Sequence, residues 1–541
     1  MTASATKRGG KGAVAAGHPA TAAAAREVLE DGGNAFDAAL AAFCAATVAE
    51  PVLCSLGGGG FLLAQPAEGE ACLYDFFVQT PRRKRPMAEI EFFPILADFG
   101  TATQEFHIGL GATGTPGAVE GLFAVHRDLA RLPMGRLVEP AVRLARDGLT
   151  VRELDAYVCR VVGPVLLAGA ESRAIFTGPH GELLKAGDHH RQPELAQTLE
   201  ALAAEGAALF TTGELGQRLV AACREGGGQL TEEDLTGYRV VRRKPLERRY
   251  RGARILTNPP PSSGGILIAF ALELLARRDL AALGFGTAAH MELLTRVMAL
   301  TNRARVESRL HEAVSEAEEA SAAGRLLDPA LLASYAKEIA GRPQSARGTT
   351  HISVIDGAGN LAALSLSNGE GCGTMLPGSG VMLNNMLGEE DLNPQGFQRW
   401  PEDSRISSMM APSLAFLEDG TVAALGTGGA NRIRTSVLQV LNNLIDFAMT
   451  AAEAVAAPRL HLEGGLANLE AGFDAAARAA VAGEAAEIMD WPHHSFFYGG
   501  VHTATRRPPG RRGGKKGGKA SAGGLLAAAG DPRRRGEGLV V

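Results

Sequence analysis

The sequence predicts an α+β protein, and three observations lead there. The chain is 541 residues long, too long for one ordinary compact core, so it holds two domains or one large unit of several layers. Residues from about 115 to 340 carry mostly helical patterns, as in "PGAVEGLFAVHRDLARL" and "AAHMELLTRVMALTNRARVESRL". After Gly348 the texture changes to short β-rich runs with Asp-Gly turns at Asp356-Gly357 and Asp419-Gly420.

The elements follow in order. "HPATAAAAREVLEDGGNAFDAALAAFCAATVAE" predicts a helix broken at Gly32-Gly33 and a second helix opened by Asn34 or Asp37. The second is apolar on nearly every face, as a buried helix would be. "SLGGGGFLL" runs four glycines into a strand. It lacks the Lys-Ser/Thr of a phosphate loop and the spacing of a dinucleotide fingerprint, so close backbone packing is expected. In "TNPPPSSGGILIAFALELL" three prolines stop a strand, and Ser262 and Ser263 are placed to cap the next helix. Past Gly348, "HISVID", "LAALSLS", "VMLNNM" and "SLAFLEDGTVAALGTGG" read as strands, and "RIRTSVLQVLNNLIDFAM" as a helix.

Composition narrows the class. Apolar residues make up 46%, charged residues 21% and the formal net charge is −5, which gives no general attraction to nucleic acid or membrane. The local exception is "RRPPGRRGGKKGGK", Arg506 to Lys519, within a stretch from 503 to 525 expected to be a flexible basic loop. None of the six cysteines (Cys44, Cys54, Cys72, Cys159, Cys223, Cys372) forms a C-x-x-C pair, so free buried thiols are expected rather than a metal or dithiol site. The first twenty residues lack a continuous apolar run, and no long uncharged apolar stretch occurs, so the expectation is a cytoplasmic protein without a membrane span.

The chemistry centres on "RGTTHISVID". Thr349 and Thr350 follow Gly348 at the start of a strand. β-propensity alone gives such a pair. The alternative is that Thr349 becomes a new N-terminus after cleavage behind Gly348. A threonine hydroxyl needs a base, and an N-terminal threonine carries one in its own α-amine, whose pKa of about 7.7–8.0 suits work near neutrality. Later stretches could complete such a site: the hydroxyls of Ser407 and Ser408, the Gly428-Gly429 pair ahead of a helix, and the polar run of Asn384, Asn385, Glu389, Glu390 and Asp391. Each also has a plain structural reading as a cap, a turn or a solvated loop.

Taken together, "HPATAAAAREVLEDGGNAFDAA", "GGGGFLL", "GTPGAVEGL", "NPPPSSGG", "TTHISVID", "LNN", "ISSM" and "GGANRI" resemble the γ-glutamyltranspeptidase family of N-terminal-nucleophile hydrolases, in family order from about residue 12 to 470. The resemblance implies a four-layer αββα sandwich, self-cleaved into a large subunit of residues 1–348 and a small one of 349–541. It implies that Thr349 takes a γ-glutamyl group from glutathione-like amides and passes it to water or to an amino acid or peptide. Gly428 and Gly429 match the oxyanion donors, and Ser407 and Ser408 match residues that hold the substrate carboxylate. Ser367 and Asn368 lie near the family's supporting hydroxyl and substrate-binding asparagine, and the acid that meets the α-amine falls among Glu389, Glu390 and Asp391. No cofactor or metal is implied. The partners implied are a small acyl amide and the two subunits of one precursor, with no nucleic acid or membrane; homo-oligomerisation is left open.

The chain departs from the family pattern at three places. Phe77 stands where an arginine usually pairs with the α-carboxylate, with Arg82, Arg83 and Arg85 near in sequence. Met386 replaces a glutamine-like residue. The stretch between "LNN" and "ISSM" is short, so an open site without a lid loop is expected. These departures keep a second reading alive: an acylase on a non-glutamyl amide, as the cephalosporin acylases of this superfamily are on glutaryl. A third, an uncleaved binding scaffold, is opposed by the retention of Thr349, Ser407-Ser408 and Gly428-Gly429.

Overall fold

The structure is a computed structural model that describes residues 4–98, 103–308, 310, 316–328, 332, 349–393, 395–509 and 524–541. Two seven-stranded antiparallel sheets pack face to face. One runs Ser4–Arg8, Leu525–Ala529, His502–Arg507, Val422–Gly426, Ser413–Phe416, Ala253–Thr257, Leu246–Tyr250. The other runs Glu537–Val540, Gly12–Ala16, Thr350–Asp356, Leu361–Ser367, Gly59–Gln65, Cys72–Phe76, Val241–Arg243. Helices Pro19–Glu30 and Ala35–Ala49 cover the second sheet, while Ser263–Leu275, Arg432–Ile445 and Ala451–Ala456 cover the first. The result is the α–β–β–α layering expected.

The boundary at Thr349 does not separate a helical domain from a sheet domain among the described residues. Seven of the fourteen sandwich strands precede Thr349, and each sheet interleaves strands from both parts. Period-two strands buried on both faces look like short apolar runs, which a helix-dominated stretch hides.

The strand Thr350–Asp356 lies near the middle of its sheet, paired with Gly12–Ala16 and Leu361–Ser367. All seven of its residues are buried. Alternation sends Ile352 and Val354 into the core under the helices, while Ser353 reaches the opposite sheet and donates to the His502 carbonyl. The helix Ala35–Ala49 is buried along its whole length, as its all-apolar sequence predicts. Asn34 and Asp37 share its start as a reciprocal capping box. The glycine run acts by close approach. A Cβ at Gly59 would lie 2.8 Å from the Phe76 carbonyl oxygen, and Gly58 and Gly60 meet the carbonyls of Ser367 and Ser365 more closely still.

One capping expectation fails. Ser262 sits at the N-cap of Ser263–Leu275, but its hydroxyl donates to the carbonyls of Ser408 (2.8 Å) and Met410 (2.7 Å) instead of accepting from the helix. It ties this helix to the segment carrying the serine pair. The cysteines are unpaired, five of them buried. No helix among the described residues is long and apolar enough to cross a membrane. Of the basic stretch, Arg506 and Arg507 end a strand, and residues 510–523 lie outside the described residues.

Candidate active site

Thr349 heads the strand Thr350–Asp356 and is 5% exposed. It lies on the wall of a cavity of about 120 Å³. Gly348 lies outside the described residues.

Local structure fixes Thr349 from both sides. The Thr350 hydroxyl donates to Glu50 Oε2 at 2.7 Å, and Thr21 donates to Oε1 at 2.9 Å. Burial pushes the Glu50 carboxyl up, against the pull of these two hydroxyls. Next along, His351 Nδ1 meets Ser365 Oγ at 2.8 Å and Nε2 meets Ser353 Oγ at 3.0 Å. Burial holds His351 well below the usual imidazole range, so it is a neutral inter-sheet spacer. On the other side, Gly428 packs its backbone against Thr349. Any Cβ there would collide with the Thr349 carbonyl oxygen, and would lie 2.8 Å from its Cβ.

The cavity gathers most of the residues singled out in the sequence. Thr349, Ser367, Glu389, Asp391, Ser407 and Ser408 all line it, from stretches sixty residues apart. Ser407 donates to the Pro261 carbonyl at 2.8 Å, leaving its oxygen lone pairs for a ligand. Ser408 Oγ accepts from Met410 N at 3.0 Å, which leaves its proton available. The buried Glu389 carboxyl lies against Gly369, whose φ of +67° and lack of a Cβ make the room. Asn431 Nδ2 stands 3.5 Å from Asp391 Oδ2.

Six other candidates fall outside the lining; of these, Asn384 is buried and bonded to the backbone of Gly57 and Gly114, and Asn385 to that of Glu370 and His107. Glu390 is exposed. Asn368 is fully buried behind Ser367, and neither its Oδ1 nor its Nδ2 has a hydrogen-bond partner among the described residues. Gly428 packs against Thr349 while Gly429 faces Gly499, and the next two residues, Ala430 and Asn431, reach the cavity wall at the start of Arg432–Ile445.

Phe77 is where the sequence puts it, buried in the cavity wall and stacked on Phe61 with centroids 5.4 Å apart. None of the three nearby arginines replaces the missing guanidinium. Arg82 pairs with Asp403 at 3.3 Å, Arg83 with Glu233 at 3.6 Å, and Arg85 donates to the Gly228 carbonyl at 2.8 Å; none lines the cavity. Other arginines do. Arg405 is buried beside Asp75 (3.6 Å) and donates to the carbonyls of Phe77 and Arg239. Burial alone would lower its pKa, but the Tyr238 hydroxyl and Asp75 outweigh it and raise it. Arg399 is exposed at the rim. Sequence reasoning missed Arg399, Trp400 and Arg405. The one signal was their run, "FQRWPEDSRISSM", leading into the serine pair.

The short segment after "LNN" does not leave the cavity bare. Residues from Leu392 to Met410 form much of one wall, with Trp400 only 7% exposed.

A buried hydroxyl residue heading a central strand of an αββα sandwich, opposite paired glycines and facing serines and acids, defines the N-terminal-nucleophile hydrolase class of fold. Comparison with known proteins narrows this. The chain belongs to the gamma-glutamyltranspeptidase family, whose model matches residues 21–541. It is similar to the Acylase ACY 1 proenzyme of Pseudomonas sp. (strain V22), 33% identical over 85% of this chain and 84% of that one. It is 32% identical to the glutathione hydrolase proenzyme of Escherichia coli (strain K12), over 80% and 78% of the two chains. Among solved structures, a cephalosporin acylase from Bacillus halodurans shares the fold with a TM-score of 0.83 at 23% identity, over 99% of this chain and 96% of that one. Gamma-glutamyltranspeptidase from Helicobacter pylori matches with a TM-score of 0.52 at 28% identity, over 61% of this chain and 91% of that chain. The chain is therefore an enzyme of an amidohydrolase family.

Proposed function

We propose that the chain is a precursor that cleaves itself before Thr349, and that Thr349 then acts as the nucleophile of a γ-glutamyl amidohydrolase and transferase. The observation that carries this is the meeting of Thr349, Ser407-Ser408 and Glu389/Asp391 on one cavity wall. Cleavage gives Thr349 a free α-amine. That amine takes the proton from Oγ1 as the oxygen attacks the substrate's amide carbonyl. The oxyanion develops toward the backbone N–H groups of Gly428 and Gly429. The proton passes to the leaving amine, the C–N bond breaks, and the acyl group stays as an ester on Thr349. Water or an incoming amine repeats the attack and releases it. Relatives named as proenzymes support the cleavage step.

The acyl group is argued from its two ends. Glutaryl differs from γ-glutamyl only in lacking the α-amino group, so the loss of an arginine at Phe77 weighs against both carboxylates alike. The amine decides between them. Two acids, Glu389 and Asp391, line the cavity and favour the amino-bearing γ-glutamyl group. The carboxylate then falls to the serine hydroxyls, with Arg399 at the rim.

A second reading rests on Phe77, Met386 and Trp400, which give the same wall an apolar character suited to a non-glutamyl acyl group. A chromogenic γ-glutamyl anilide and the matching glutaryl anilide separate the two. The γ-glutamyl reading expects turnover of the first to exceed that of the second, and Glu389→Gln to lower only the first, by about tenfold or more in kcat/KM, as expected for a lost charge-assisted bond. Preferential glutaryl cleavage, untouched by Glu389→Gln, would establish the acylase reading instead.

A further inference from the structure

A second cavity, of about 60 Å³, shares no lining residue with the first. It lies between the ends of Gly12–Ala16 and Ala35–Ala49, the segment Leu149–Asp155, and the C-terminal turn Pro532–Arg534. Most of its wall is apolar, with Val52, Leu53, Val151, Val158, Phe176 and Leu184. It reaches the surface past the exposed Thr150 and the half-buried Leu154.

Among the described residues of its wall, His190 Nε2 and the Arg534 guanidinium are buried without a hydrogen-bond partner, and of the two only the guanidinium is charged. Arg534 is 3% exposed and lies 4.0 Å over the Phe496 ring, and its Nε, Nη1 and Nη2 all lack an acceptor among the described residues. Every other charged or titratable side chain facing the cavity is engaged or neutral. Arg152 is bonded to Asp155 through Nε (2.9 Å) and Nη2 (2.8 Å). The two Glu50 oxygens accept from Thr21 and Thr350. Burial keeps His18 and His190 neutral at ordinary pH, at about 3 and about 4, and lifts the Cys159 thiol to about 12. No ion pair to Arg534 is made among the described residues, although its neighbour Arg533 is bonded to Glu470 and Asp531. A guanidinium stripped of water and given no acceptor is costly to hold, and a cavity beside it is the place where an acceptor enters.

We propose that this cavity is a second ligand site for a small monocarboxylate with an apolar tail, the carboxylate on Arg534 and the tail against Val158, Phe176 and Leu184. Apolar walls and a single cation select one negative charge and a hydrocarbon body. A multiply charged anion would bring excess charge against Asp155 and Glu50.

Binding of 4-methylpentanoate to the full-length protein, followed by titration calorimetry with 4-methylpentanamide as the neutral control, tests this. Saturable binding of the acid but not the amide is expected. Arg534→Gln weakens it about tenfold or more, as loss of a charge-assisted pair should. Leu154→Trp, at the half-buried rim, fills the entrance and weakens it without touching Arg534, which covers the case where the arginine variant does not fold. Ser408→Ala, in the first cavity, leaves it unchanged. Absence of saturable binding, equal binding of the amide, or binding lost in Ser408→Ala but kept in Arg534→Gln and Leu154→Trp would each overturn the proposal; the first would mean the cavity holds water only.

Discussion

Gly428 leaves no room for a side chain. A Cβ there would overlap the Thr349 carbonyl, so Gly428→Ala must shift the head of the strand or the loop that leads into Arg432–Ile445. Overpacking of this kind costs about 1–3 kcal/mol of stability. The larger effect is expected in catalysis, because a displacement of a fraction of an ångström at the proposed nucleophile is felt strongly in rate. Gly428→Ala should therefore lower kcat by more than its denaturation midpoint suggests, with KM nearly unchanged; wild-type kcat in a folded Ala variant would contradict the packing argument. At this scale the sequence was legible where one motif holds the information. Thr349, Ser407 and Ser408 announce themselves by hydroxyl pairs beside glycine or in a polar run. Arg405 does not, because its partners Asp75 and Phe77 are more than three hundred residues away in the chain.

Among the elements, the buried helix Ala35–Ala49 positions Glu50, the acceptor for Thr350. Its start depends on Asn34, whose Oδ1 accepts from Phe36 N (2.8 Å) and Asp37 N (2.9 Å), and whose Nδ2 donates to the Leu129 carbonyl at 2.7 Å. Asn34→Ala removes the cap and is expected to cost about 0.5–2 kcal/mol, read as a lower urea midpoint with an unchanged m-value. A wild-type midpoint would show that tertiary packing alone holds the helix start. This helix was legible because its cap and its apolar run are local. The role of Ser262 was not. A serine before a helix reads as a cap, yet its hydroxyl follows the stronger geometric demand of two carbonyls from a segment 146 and 148 residues on. Likewise Gly426 looks like a strand end, but it is there because the His351 ring occupies the space a Cβ would take.

Across the whole molecule, five histidines are buried among the described residues, His18, His290, His351, His461 and His502, and His190 is half-buried. Burial lowers His18 and His502 to about 3, and His190, His290 and His461 to about 4. The unfolded chain protonates its histidines near pH 6.5. Between that value and 4 the unfolded state thus binds more protons than the folded one, so stability is full above about pH 6.5 and falls steadily as the pH drops toward 4. Glu463, held at about 2 by the Arg434 guanidinium against the cost of burial, extends the loss below the ordinary carboxylate range. A urea midpoint that declines from pH 7 to pH 5 is expected; a flat profile over that interval would contradict it. The layered α+β class was legible because helices and late strands carry clear patterns. The mixing of early and late strands in both sheets was not, since the pairing of Gly12–Ala16 with Thr350–Asp356 leaves no mark in either segment alone. That same pairing means the two parts on either side of Thr349 form one body, which a cut before Thr349 would leave joined by both sheets.

The most direct test of the account is the intact mass of the purified protein under denaturing conditions. Two chains, divided between residues 348 and 349, are expected, with Thr349 bearing a free amine, and Thr349→Ala should remain one chain and release no anilide. A single uncut wild-type chain that still turns over the amide would contradict the central claim, because the hydroxyl of Thr349 would then lack the base on which the mechanism depends.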